Sequence, residues 1–283
     1  MYQKKKFQPT RKTALLPGYA ILNLWVLFTF FIIGWIFVAS LSTTSGIFSG
    51  KVLSSGFNPI NYINALFTHN VATYFKNSLI YTLTACTGVI LVAAPAAYVL
   101  ARFKFKFSKV LQSLFVSALG IPQIMIILPL FALVTKLGIA NSRTLLIILY
   151  IGINVPFTLF FLITFFKTIP GTFEEAAAID GCSPMKTFWV IILPLAQPAI
   201  ITVTIFNFIT IWNEYFMALI FANTSELRPV AVGLYSMIQS MRYIGDWAGM
   251  FAAVVIVFLP TFILYIFLSE KIIAGVTGGG VKG

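Results

Sequence analysis

The sequence predicts an all-α membrane protein: six transmembrane helices, with a pair of short helices set in water between the fourth and fifth. Three observations predict it. Of 283 residues, 59% are hydrophobic and 9% charged, against roughly 25% charged in a soluble domain. Uncharged apolar stretches recur six times, each long enough at about 1.5 Å per residue to cross a hydrocarbon core of about 30 Å. One segment, "TFEEAAAIDGCSPMKTFWVIILPLAQP" (Thr172–Pro198), breaks this pattern with acids, a glycine and paired prolines.

The spans are expected at residues 19–41, 77–101, 110–135, 144–166, 199–222 and 248–269. They form one membrane domain, 19–269, between an N-terminal segment, 1–18, and a glycine-rich tail, 270–283. A helix is chosen for each because it satisfies its own backbone polar groups in lipid. Lys4, Lys5 and Lys6 before the first span resemble the start of a secretory signal. The apolar stretch outruns the roughly 7–15 residues of a signal core, and "VAS" at Val38–Ser40 is a poor cleavage site. The span is therefore read as retained.

Orientation follows from the basic residues. Of the 19 Lys and Arg, six (Lys51, Lys76, Lys136, Arg143, Arg228 and Arg242) fall outside if both termini are inside, leaving 13 on the inner face. That excess places both termini, and Thr172–Pro198, in the cytoplasm. The basic balance, 19 Lys+Arg against 7 Asp+Glu, is read as inner-leaflet lipid contact rather than nucleic-acid binding. The loop "RFKFKFSK" (Arg102–Lys109) fits an interfacial loop with phenylalanines dipped toward lipid. The outer segment from Ser42, rich in Ser, Gly and Asn, reads as a surface cap with a short helix at Asn61–Phe67 and a solvated His69. Cys86 and Cys182 are too few for a disulfide framework or a zinc site.

Within Thr172–Pro198, Thr172 and Glu175 match a capping box after the helix-stopping Pro170–Gly171. Glu174–Ile179 is a strong helix former whose acids suit the positive end of the dipole. Asp180–Gly181 ends it, with Gly181 suited to a left-handed residue. Ser183 and Pro184 start a second helix as N-cap and N1. That helix carries Met185, Phe188, Trp189 and Ile192, and Pro194 and Pro198 punctuate the entry to span five. Such a module either lies on the lipid surface or docks against a partner. Two capped helices with a glycine elbow favour docking.

The segment resembles a known signature. Glu175–Ala176–Ala177, Gly181 six residues after the glutamate, and Ile191-x-Leu193–Pro194 after nine more match the EAA loop of ABC-importer permease subunits. Other stretches resemble the maltose-type, carbohydrate-importing branch with six spans: "NSLIYTL", "AAYVLARFKFK", "IWNEYFMALIF" and the tail "GVTGGGVKG". The resemblance covers nearly the whole chain. It departs at Cys182, where alanine is common, and at Gly278–Gly279–Gly280, where an alanine usually interrupts.

The resemblance implies a type I ABC importer permease in a bacterial cell membrane. A second homologous permease, two ATP-binding subunits, an extracellular solute-binding protein and a carbohydrate substrate would complete the system. Glu174 and Glu175 would pair with a basic residue of the ATPase, and Met185, Phe188 and Trp189 would seat in its cleft, as hot spots favour aromatics. Ala176, Ala177, Asp180, Gly181 and Pro194 would shape the coupling element. No cofactor is expected on this chain; ATP and Mg would lie on the partner subunits. The tail lacks GK[ST] and a following helix, so it is no phosphate loop. With no HExxH or GxSxG either, the chain is read as non-catalytic.

In span five, Asn207, Thr210, Asn213 and Glu214 fall within an arc of about 120° on a continuous helix. The stripe is either a pore face, with Trp212 or Tyr215 nearby, or an interhelical hydrogen-bonding seam. Gly120, Pro122 and Pro129 break span three beside Gln123, and Asn154–Pro156 interrupts span four; freed backbone groups often line a cavity. Competing functions are an ion-coupled secondary transporter using Glu214, a membrane scaffold, or an ABC permease for a non-sugar solute. The first predicts internal repeats and a charge relay, and neither is visible.

Overall fold

The computed structural model describes residues 15–278, without the side chains of 242 and 269–278. Most of the expected N-terminal segment, 1–14, and the end of the glycine-rich tail, 279–283, lie outside the described residues. Among the described residues all regular structure is helical: α1 (Leu16–Ser40), α2 (Thr44–Phe48), α3 (Ile60–Ile63, passing into a π turn), α4 (Val71–Arg102), α5 (Ser108–Ala118) and α6 (Gln123–Lys136). There follow α7 (Arg143–Phe166), α8 (Thr172–Ile179), α9 (Pro184–Leu195, π-helical over Phe188–Ile192), α10 (Gln197–Trp212), α11 (Phe216–Phe221), α12 (Val230–Ile244) and α13 (Trp247–Gly278).

Four helices are long and apolar enough to cross a membrane: α1, α4, α7 and α13 through Leu268. The number rises to six if each of two bent pairs, α5/α6 at 98° and α9/α10 at 75°, is one span. The expected continuous span at 110–135 is thus two helices. Pro122, extended at ψ 126°, stops α5 from running on, and α6 restarts at Gln123. Span five also breaks: α10 ends at Trp212 and α11 begins at Phe216. The last helix continues to Gly278 instead of stopping at 269.

The chain divides into two compact units. One holds α1 to α3 with Ser240–Ile256. In it α1 buries only Ala39 and Ser40. Below it, the Asn61 amide donates to the carbonyls of Ser40 (2.9 Å) and Ser42 (2.8 Å), and Trp35 meets Phe251 edge-on. The other unit, His69–Gln239 with the rest of α13, carries the candidate sites.

Its backbone is the α4–α7 pair, the most extensively packed in the molecule. Small residues make the close approach: Ala85, Gly88, Ala93, Ala94 and Ala97 line α4, and a Cβ on Gly88 would overlap Ile151. Two buried clusters flank the pair. One joins Ala97, Tyr98, Leu162 and Phe166 to Phe188, Ile192 and Val203. The other joins Tyr81, Leu146 and Tyr150 to Met217, Phe221 and Val232.

Candidate coupling and translocation sites

The segment after α7 folds as two short helices around Gly181. Gly181 has φ +72°, and the end of α8 closes as a Schellman turn: Gly181 N donates to Ala178 O (3.1 Å) and Cys182 N to Ala177 O (2.9 Å). Ser183 caps α9, its hydroxyl accepting from Lys186 N at 3.4 Å, with Pro184 next. The expected capping box at the start of α8 does not form. Thr172 is the first helical residue, and Gly171, already in helical geometry (φ −68°, ψ −15°), precedes it. The chain turns from Pro170 straight into the helix, so no side chain caps that end.

The pair has two faces. Ala177, Thr187, Phe188 and Ile192 are buried, whereas Glu175, Ala176, Ile179, Asp180, Met185, Trp189 and Val190 are exposed, Ile179 at 87%. Pro194 is exposed in the helical stretch that leads to α10. Phe188 therefore corrects an expectation. At 2% exposure it cannot seat in a partner. Its ring packs 5.1 Å from Tyr98 and 6.4 Å from Phe166, because the π turn at Phe188–Ile192 rotates it onto the bundle. Glu174 is corrected likewise: it pairs within the chain, its Oε1 2.7 Å from Arg102 Nε. Glu175 remains exposed.

The expected polar stripe of span five does not survive as one face. Asn207 is buried, donating to Thr158 Oγ1 at 2.9 Å, while the Thr158 hydroxyl donates to Asn154 O at 2.9 Å. The Asn213 amide turns back to Ile209 O (2.8 Å) and is exposed. Glu214 lies beyond the end of α10, where helical spacing no longer applies. Its carboxylate accepts from Tyr150 Oη (2.9 Å) and from the backbone of Met217 (2.7 Å) and Ala218 (3.1 Å), so it caps α11. Trp212, 2% exposed, stacks on Phe208 at 5.6 Å and donates to Val257 O at 3.3 Å, closing it to any cavity.

Thr210 and Gln123 behave differently. Both line a cleft of about 470 Å³ with Asn154, Pro156, Phe157 and Phe206, beside the α5/α6 break. The weak signals of Gln123 and Asn154–Pro156 in the sequence thus converge in space with one member of the stripe. Sequence reasoning missed Arg102, Tyr98, Tyr150 and Thr158. Arg102 carried one signal, a cation in the last turn of a span, but nothing local named its acid.

A family model described as a binding-protein-dependent transport system inner membrane component matches residues 90–270. The chain belongs to that family of permeases. The matched stretch encloses Arg102, the helix pair, the cleft and Glu214. Among similar proteins, the diacetylchitobiose uptake system permease of Streptomyces coelicolor is 32% identical over 268 residues, covering 93% of this chain and 87% of the relative. The trehalose/maltose transport system permease of Thermococcus litoralis is 30% identical over 276 residues, covering 96% and 98%. A solved bacterial ABC transporter that imports the acidic polysaccharide alginate shares the fold, with TM-score 0.80, 23% identity and coverage of 94% and 99%. The permease is accordingly a multi-pass inner-membrane protein and a transport subunit rather than an enzyme. It works with ATPase and solute-binding components, as its family does. This sets aside the ion-coupled transporter and scaffold readings.

Proposed function

We propose that this permease forms half of the pathway of an ATP-driven sugar or oligosaccharide importer, beside a second homologous permease. Both termini lie in the cytoplasm, and two ATP-binding subunits carry the ATP and Mg, none of it on this chain. The outer face of the helix pair (Glu175, Ile179, Met185, Trp189) seats in an ATPase subunit, and Gly181 sets the angle between its helices. A binding protein delivers the sugar from outside. The substrate class is supported by the relatives, whose names specify diacetylchitobiose and trehalose or maltose. Gln123, Asn154 and Thr210 in the cleft supply hydroxyl-binding groups on the pathway side.

One observation carries the coupling role: a short helix pair buries one face in its own bundle and leaves an apolar, acid-edged face open. Such a face at a break between spans is a docking surface with an occupant in the working complex. The test isolates the tagged chain from its own membranes and measures uptake of radiolabelled di- and oligosaccharides into inside-out-corrected vesicles. ATPase subunits co-purify, Ile179→Asp together with Trp189→Asp removes them, and uptake requires ATP. Uptake that persists without ATP, or after loss of the ATPase, refutes the assignment. Glu214→Gln retains ATP-driven uptake, because Glu214 serves as a helix cap and not as a proton carrier.

A further inference from the structure

Resting on that coupling role, we infer that Arg102 fastens α8 to the end of α4, so that the helix pair and α4 move as one body. Arg102 lies in the last turn of α4 and Glu174 in the first turn of α8. Each charge sits at the helix end whose dipole favours it. The paired side chains retain 19% and 22% exposure, with Nε and Oε1 2.7 Å apart. A terminal nitrogen of the same guanidinium donates to the Ile169 carbonyl, in the turn between α7 and α8. One planar group thus grips the turn and the helix together, which the point charge of a lysine does not reproduce.

Packing does not do this work. Ala177 is the only buried residue of α8. Between α8 and α4 lies a cavity of about 380 Å³, lined by Tyr98, Arg102, Gly171, Glu174, Cys182 and Pro184. Next to it α9 is held by Phe188 in the aromatic cluster. The ion pair is therefore what fixes α8 across that cavity, and neither Nε nor Oε1 has an aligned hydrogen bond elsewhere among the described residues. Removing either partner strands a shielded charge. Arg102 is a positioning residue: it touches no substrate and acts through Glu174.

The experiment uses the purified complex of this chain with its partner permease, ATPase and binding protein in nanodiscs. Cys86 and Cys182 are replaced by alanine, and nitroxides are placed at Val99 on α4 and Phe173 on α8. The Val99–Phe173 distance is measured without nucleotide and after trapping with ATP and vanadate. In the parent it is the same in both states. Arg102→Ala or Glu174→Gln loses that fixed distance, and stimulation of ATP hydrolysis by the binding protein falls by about tenfold, within the span of site-to-site couplings. Arg102→Lys does not restore it, whereas Arg102→Glu combined with Glu174→Arg does so at least in part. A parent distance that shifts between the two states overturns the inference, as does a Glu174→Gln complex that keeps both the distance and the stimulation. Failure of the proposed function shows differently, as a parent preparation that contains no ATPase and forms no trapped state.

Discussion

The two ends of α4 hold their neighbours by opposite means. At the Val71 end, buried neutral groups pin the loop that precedes α12. The Asn77 amide donates to the carbonyls of Glu226 (2.7 Å) and Arg228 (3.0 Å), and its oxygen accepts from Arg143 (2.8 Å). Tyr81 donates to Leu227 O (2.8 Å), and Ser78 accepts from Val230 N (2.9 Å). At the Arg102 end one ion pair spans a cavity beside a single aromatic anchor. Directed bonds on every side give a segment one position. An anchor and a strut on one side leave the other face open. The first arrangement suits a fixed wall, the second a part that another protein pushes.

The contrast predicts where each end is vulnerable. The largest effect is expected at the anchor. Phe188→Ala removes a fully buried ring from between Tyr98, Phe166 and Trp189, and truncations of this kind cost about 3–5 kcal/mol. Thermal unfolding of the purified chain in detergent should drop accordingly, with protease cutting first between Thr172 and Leu195. A melting point unchanged by Phe188→Ala breaks the comparison, because the ion pair alone would then be holding the helix pair.

The next effect lies at the other end. Asn77→Ala leaves two carbonyls and the Arg143 guanidinium without their partner, a loss of about 2–3 kcal/mol when charged and neutral groups are stranded together. Hydrogen exchange should quicken across residues 223–230 and stay unchanged across α8 and α9. Equal quickening at both regions would mean that α4 transmits the damage and that its ends are not independent.

How much of this was legible in the sequence follows the same division. Apolar length and local punctuation are written in consecutive residues, so the helical class and the turn at Gly181, Ser183 and Pro184 could be read directly. The resemblance to a family signature added the role proposed for the segment. Periodicity failed where a helix stops: Glu214 projects as the end of a polar stripe only if α10 continues, and Trp212 and Asn207 look available only if span five has a free side. Burial of Phe188 depends on a π turn, and the pairing of Arg102 with Glu174 on two distant helix ends meeting. Neither leaves a mark in local spacing. Gln123 was legible beside a helix break, but the breaks expected at Pro129 and Asn154–Pro156 do not occur, since α6 and α7 run through those prolines. The meeting of Gln123 and Asn154 with Thr210 in one cleft is a property of three helices.

The smallest effect on stability is expected at Gly181, and it sharpens the comparison most. Its φ of +72° disfavours any side chain, yet a Cβ there meets nothing within 4 Å. Gly181→Ala therefore costs only the left-handed backbone penalty, about 1 kcal/mol, with no clash to relieve. Gly181→Val adds a β-branched side chain that resists this conformation further. Both variants should melt near the parent and assemble normally, because the anchor at Phe188 and the strut at Glu174 are untouched. What changes is the angle between α8 and α9, and with it the seating of Ile179 and Trp189. Vesicles carrying Gly181→Val should hydrolyse ATP while taking up little sugar, with Gly181→Ala intermediate. If Gly181→Val keeps the parent ratio of uptake to hydrolysis, the angle between the two helices is irrelevant to transport, and the open face of the pair serves some purpose other than receiving a push.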